Sequence, residues 1–143
     1  MMGRLWKRLA RRPAVQEAPP AEPSTRPPEP RILTDADFAA ALAGEERLLV
    51  VDFWAEWCQP CTIMAAYVDF LAADFGQQLA VAALDVDENP ETPARYQVMG
   101  LPTLLFFRRG VEVHRQVGLC DYAELKERVA HLLADTDTER TDA

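Results

Sequence analysis

The sequence predicts an α/β domain with a mixed central sheet covered by helices on both faces, and three observations carry that expectation. Two short apolar runs, Leu48–Trp54 (LLVVDFW) and Leu79–Asp85 (LAVAALD), have the length and composition of strands buried on both sides. Between them Met64, Val68, Leu71 and Phe75 recur at helical spacing, which makes the connection a parallel crossover. Farther on, Thr103–Arg108 and Val111–Val117 flank Arg109-Gly110, the signature of a hairpin.

Residues 1–30 stand apart as a basic arm and a linker, both expected to be disordered. From Pro13 to Pro30 seven of eighteen residues are proline, which excludes helix interiors and sheet ladders and predicts a semi-extended spacer of about 3.1 Å per residue. The domain is expected over residues 31–134. After an opening strand, Thr34 followed by Asp37 marks a helix start that leads into Phe38 and Leu42, with Gly44 ending it. The LLVVDFW strand carries one acid, Asp52, and the helix after it is closed by Gly76. Asn89-Pro90 begins a short helical stretch to about Gln97. Beyond the hairpin, Asp121 and Glu124 cap a last helix that turns Leu125, Val129, Leu132 and Leu133 inward. Residues 135–143 (DTDTERTDA) have nothing to bury and read as a polar, solvated tail. The resulting order is β-α-β-α-β-α-β-β-α.

A chain of 143 residues, 49% apolar and 27% charged, suits one folded domain with tails. Residues 1–31 hold seven Lys and Arg against three acids, whereas residues 32–143 hold eight against twenty. A folded part of charge −12 repels nucleic acid. Three cysteines are too few for a secreted disulfide scaffold. No apolar run approaches the ~18 residues of a membrane span, and MMGRLWKRLARRPAV lacks the apolar segment of a secretory signal. A reducing interior, cytoplasmic by default, is the expected compartment. The arm has three readings. Arg4, Lys7, Arg8, Arg11 and Arg12, with Leu5, Trp6 and Leu9 at helical spacing, suit a short helix (residues 4–12) in weak contact with an anionic membrane surface. They also suit an organelle-targeting segment or a disordered tail.

Chemistry concentrates in WAEWCQPCT, residues 54–62. A pair of cysteines three positions apart can be a metal clip, a structural disulfide or a reaction centre. Its position between a strand and a helix start favours the last. Unpaired N–H groups and the helix dipole stabilise a thiolate at Cys58, and Cys61 lies one turn in, more buried. Pro60 is tolerated in a first helical turn. Asp52, inside a core strand, is expected to have a raised pKa suited to proton exchange with a thiol; the alternative is a carboxyl bonded to backbone or water. Zinc would need further ligands from Cys120, His114 and His131, which the sequence scatters over separate elements. An interaction module with incidental thiols is the remaining reading.

WAEWCQPC after VDF, followed by GLPT about forty residues later and a VG before the last helix, resembles the thioredoxin family, whose motif is WCGPC. The resemblance covers about Ile32 to Ala134. It implies a thioredoxin-like fold and a thiol-disulfide oxidoreductase that reduces protein disulfides through Cys58 and Cys61, with Asp52 helping to deprotonate Cys61. Trp57, Gln59 and Pro60 would border an exposed Cys58 sulfur. Leu101 would pair with an extended substrate strand beside a cis Pro102, and Gly118 would leave the groove open. The resemblance further implies disulfide-containing substrate proteins, a flavin- and NADPH-dependent thioredoxin reductase as electron donor, a monomer, and no bound cofactor or metal beyond the Cys58-Cys61 disulfide. Gln59, Thr62, Ala66 and Ala83 depart from the family pattern, at glycine, lysine, proline and lysine positions respectively. Loss of both cations predicts a higher Cys58 pKa than in the common pattern. Gln59 either fills an exposed turn or touches the Cys58 sulfur or substrate. Cys120, near the groove rim, is either an inert small residue or a regulatory thiol.

Overall fold

The computed structural model describes residues 29–141, with side chains through Asp135. The basic arm and most of the proline-rich linker lie outside the described residues. Five strands form one sheet in the order β1-β3-β2-β4-β5: β1 (Arg31–Ile32), β2 (Leu48–Trp54), β3 (Leu79–Asp85), β4 (Thr103–Arg108) and β5 (Val111–Val117). Four helices join them: α1 (Phe38–Gly44), α2 (Gln59–Phe75), α3 (Glu91–Arg95) and α4 (Tyr122–Thr141). β2 runs parallel to β3 and antiparallel to β4, so the sheet is mixed, as the crossover and hairpin require.

The central position of β2 explains its near-continuous apolar run, because helices cover both faces and both sets of alternating side chains are buried. On one face Leu48, Val50, Val81, Leu104 and Phe106 pack with Met64, Val68 and Leu71 of α2 and Leu125, Val129 and Leu132 of α4. On the other, Leu49, Val51, Phe53, Ala82, Leu105 and Phe107 pack with Phe38, Ala41 and Leu42 of α1. Phe38 centres an aromatic group there, its ring 5.5 Å from Tyr96 and 5.8 Å from Phe107. Period two places Asp52 on the first face, with Val50 and opposite Ala83 of β3 and Leu104 of β4.

The local signals act as expected. Arg109 and Gly110 both have positive φ, 50° and 82°, which a two-residue hairpin turn between right-twisted strands demands. Gly76 ends α2 at φ 54°. Thr34 and Asp37 exchange backbone-to-side-chain hydrogen bonds of 2.7 and 3.3 Å at the entry to α1. One boundary differs: α4 continues past Ala134 to Thr141. The last inward residues end at Leu133, but neither Gly nor Pro follows to stop the helix. The Arg108 guanidinium donates to the Leu132 carbonyl and ties α4 to β4. Among the described residues no helix is long and apolar enough to cross a membrane.

Candidate active site

The first turn of α2 and the end of β2 bring the chemistry together. Cys58 caps α2 with extended backbone (φ −89°, ψ 105°), Gln59 begins the helix, and Pro60 occupies the position where a missing N–H costs nothing. Cys58 and Cys61 are joined by a disulfide, their Cα atoms 5.3 Å apart. Both are packed: Cys58 is 6% and Cys61 3% exposed, in a cluster with Ala55 against which Trp54, Val86 and Leu101 rest. The expected contrast between an exposed and a buried sulfur is therefore slight in this form, because Leu101 and Trp54 cover the pair together.

What projects into solvent is Trp57, 70% exposed. Its indole N–H donates to the Asp87 carboxylate at 2.9 Å, which holds a large apolar surface in one orientation beside Cys58. Asp87 was not legible as a site residue, since it lies thirty positions away on the turn after β3. Gln59 and Pro60 are exposed. The Gln59 side chain makes no hydrogen bond to any described residue.

Behind the disulfide lies Asp52, 2% exposed. Its Oδ1 has no hydrogen-bond partner among the described residues, so the alternative of a carboxyl satisfied by backbone does not hold for that atom. Burial first, and the charge of Asp69 second, push the carboxyl up to about 7. Asp52, Cys58 and Cys61 line one open cavity of about 790 Å³, which Thr62, Ala65 and Ala83 bound with small side chains. Asp69 also lines it. Helical spacing could have revealed Asp69, because it stands eight residues after Cys61 on the same side of α2.

Across the disulfide, the Leu101–Pro102 peptide is cis, and Pro102 is buried. The Pro102 carbonyl accepts the Gly118 N–H at 2.8 Å. Gly118 has φ 77°, and a side chain there would meet nothing within 4 Å. Backbone conformation is thus its first requirement, and the space beside it stays open. Arg115, absent from the sequence reading, donates to the carbonyls of Tyr96 and Gln97 at 2.7 and 3.1 Å and ties β5 to the turn after α3.

The other candidates lie elsewhere. Cys120 is a free, half-buried thiol packed on the α2 and α4 core. Burial, then Glu124 and Asp121, raise its pKa. His114 and His131 line one cavity with Glu124, Glu127 and Arg128; burial, then Arg128, lowers the His114 pKa. Among the described residues no group of three or more His, Cys, Asp or Glu stands at metal-binding geometry.

Comparison with known proteins agrees with this geometry. Residues 29–131 match the family model described as Thioredoxin. Proteins named thioredoxin from Staphylococcus aureus strains Mu50, MW2 and N315 are each 44% identical to the chain over 101 residues, 71% of this chain and 91% of the relative.

Proposed function

The chain belongs to the thioredoxin family, and from that premise we propose which residues carry each step of its chemistry. It is a thiol-disulfide oxidoreductase of the protein-disulfide reductase kind. Cys58, at the positive end of α2, is the attacking thiolate. Its Sγ bonds to one sulfur of a substrate disulfide, that disulfide breaks, and the other substrate sulfur leaves as a thiolate and takes up a proton. Cys61 then passes its proton to Asp52 and attacks the Cys58 Sγ. The mixed disulfide breaks, the second substrate thiolate leaves, and two electrons have moved to the substrate. The chain ends as the Cys58-Cys61 disulfide, the form in the structure.

The observation that most supports this division of roles is Asp52: a buried carboxyl held at about 7, facing the cavity that the cysteines line. A group with that affinity both takes and returns a proton at neutral pH. Trp57, Gln59 and Pro60 form one border of the substrate groove, and Leu101, Pro102 and Gly118 the other, with the Leu101 backbone pairing with an extended substrate segment. Without a cation at Thr62 or Ala83, the Cys58 thiolate is less stabilised than in the common family pattern.

The partners we propose are disulfide-containing proteins as substrates and a flavin- and NADPH-dependent thioredoxin reductase as electron donor, acting on a monomer that binds no further cofactor. A reducing compartment such as the cytoplasm suits that supply of electrons. The order of attack is tested by trapping. With insulin as substrate, Cys61→Ser should accumulate a mixed disulfide through Cys58 that dithiothreitol releases, Cys58→Ser should not, and each should lose turnover by about 100-fold or more. Equal trapping by both variants would overturn the order. No acceleration of insulin reduction by the parent would overturn the reductase direction.

A further inference from the structure

Exposed apolar side chains frame the disulfide on two sides. On one stands Trp57, its indole N–H held by Asp87. On the other, past Leu101, stand Met99, Val117 and Leu119, all exposed, with Met99 93% open to solvent. The backbone joins these three into one wall: the Gly118 N–H donates to the Pro102 carbonyl at 2.8 Å, and a Val117 methyl carbon lies 3.9 Å from where a side chain at Gly100 would begin. Single exposed apolar residues are ordinary, but a group of them around a reactive bond marks a contact surface for another chain. Met99 is unbranched and polarizable, so it adapts to apolar groups of different shape.

Charge around this surface has one sign. Residues 54–62, 85–88, 99–102 and 117–121, the segments that surround the disulfide, hold Glu56, Asp85, Asp87, Glu88 and Asp121 and no Lys, Arg or His. All of these acids but Asp85 are exposed. Arg115 and Lys126, which bracket the last of these segments, pair elsewhere: Arg115 with Glu112 and the Tyr96 and Gln97 carbonyls, Lys126 with Asp74. Acids alone would say only that the surface is solvated. Their placement decides more, because Asp87 grips the edge of the Trp57 indole while the ring stays exposed, with Glu56 beside Trp57 in the chain and Glu88 beside Asp87. A cation set over an indole face is attracted by the ring, and here the same cation meets a carboxylate at the ring's edge.

We propose that the site selects protein disulfides in extended segments of basic and apolar character, with Lys or Arg on the Trp57 side of the reacting cysteine and an apolar residue on the Met99 side. This selectivity rests on the protein-disulfide reductase chemistry and gives it a substrate class. In an extended segment the side chains two positions before and after the cysteine share its direction, so they meet the two sides of the site while the cysteine sulfur meets Cys58. The long stem of Lys or Arg lies along apolar surface and its charged head stays among the acids and water. An acidic side chain in the same place faces only like charge. The bonds made and broken are those of the disulfide exchange; the charges act on encounter and docking, so the preference weakens as salt screens it.

The test is the oxidation of the prereduced full chain by symmetric peptide disulfides, a single turnover that needs no reductase. The peptides carry Leu and Lys, Leu and Glu, or Ser and Lys two positions to either side of the cysteine, each pair in both orders. Each second-order rate constant is divided by that of the same peptide with dithiothreitol, which removes the effect of charge on the disulfide itself. The Leu-Lys peptide should react about ten-fold faster than Leu-Glu at low salt, and that ratio should fall about three-fold in 0.5 M sodium chloride. Leu-Lys should also exceed Ser-Lys by about three-fold. Asp87→Asn, which keeps an acceptor for Trp57, combined with Glu88→Gln should shrink the first ratio, and Met99→Ser the second. Each ratio is taken on one protein, so a general loss of reactivity in a variant cancels. Equal rates for Leu-Lys and Leu-Glu, or for Leu-Lys and Ser-Lys, would overturn the proposal and leave the reductase chemistry standing. No reaction of the parent with any peptide would overturn both.

Discussion

A carboxyl at the fifth position of an otherwise apolar central strand is, by itself, a stability defect. Asp52 is held at about 7 when folded against an ordinary value of 3.8. Because the folded pKa is raised, the unfolded chain loses this proton first as pH rises. Stability is therefore unaffected below about pH 4, falls between about 4 and 7, and carries the whole penalty above 7. At 1.36 kcal/mol per unit the penalty reaches about 4 kcal/mol. Asp52→Asn should accordingly stabilise the protein at pH 8 by up to that amount and flatten the fall between pH 4 and 7, measured as urea midpoints across pH. An unchanged pH profile would remove Asp52 as the source. Asp52, Cys58 and Cys61 were all legible in the sequence, because their chemistry is announced locally: an acid in an apolar run, and two thiols at a helix start. Asp87 was not, since its bond to Trp57 joins residues thirty positions apart.

Among the elements, α3 shows what local pattern misses. Asn89-Pro90 placed the helix, which runs over Glu91–Arg95, but its amino end is satisfied from another element. The Asp35 carboxylate accepts the N–H groups of Glu91 and Thr92 at 3.1 and 2.8 Å and the Thr92 hydroxyl at 2.6 Å. Partial burial tends to raise the Asp35 pKa, yet these hydrogen bonds outweigh it and the net shift is downward. This contribution to stability is present above the ordinary carboxyl pKa and lost as pH falls through the lowered one. Asp35→Ala removes a cap and leaves the buried Thr92 hydroxyl unpaired, so it should cost about 1–3 kcal/mol in chemical denaturation at pH 7. A change within about 0.3 kcal/mol would show that the cap is dispensable. No sequence window short enough to read by pattern spans residues 35 and 91.

The whole molecule is electrically divided, with an acidic domain and a basic arm at the far end of the linker. If residues 4–12 contact membranes, the full chain should sediment with phosphatidylserine vesicles at low salt. Replacing Arg4, Lys7, Arg8, Arg11 and Arg12 together by alanine should then cut that binding at least ten-fold, each cation contributing about 1 kcal/mol near an anionic surface. Equal sedimentation of both chains would leave the arm without that role. The sequence by itself determined the order of elements, the two-sided burial of β2 and β3, the hairpin, and the dithiol at a helix start. Each of these follows from periodicity or backbone preference within a few residues. Only the tertiary structure decided the extent of α4, the near-equal burial of the two cysteines, the grip of Asp87 on Trp57, and the meeting of Asp52, Asp69 and Glu29 around one cavity. Those depend on which side chains from distant positions converge, and convergence is set by packing rather than by any local pattern.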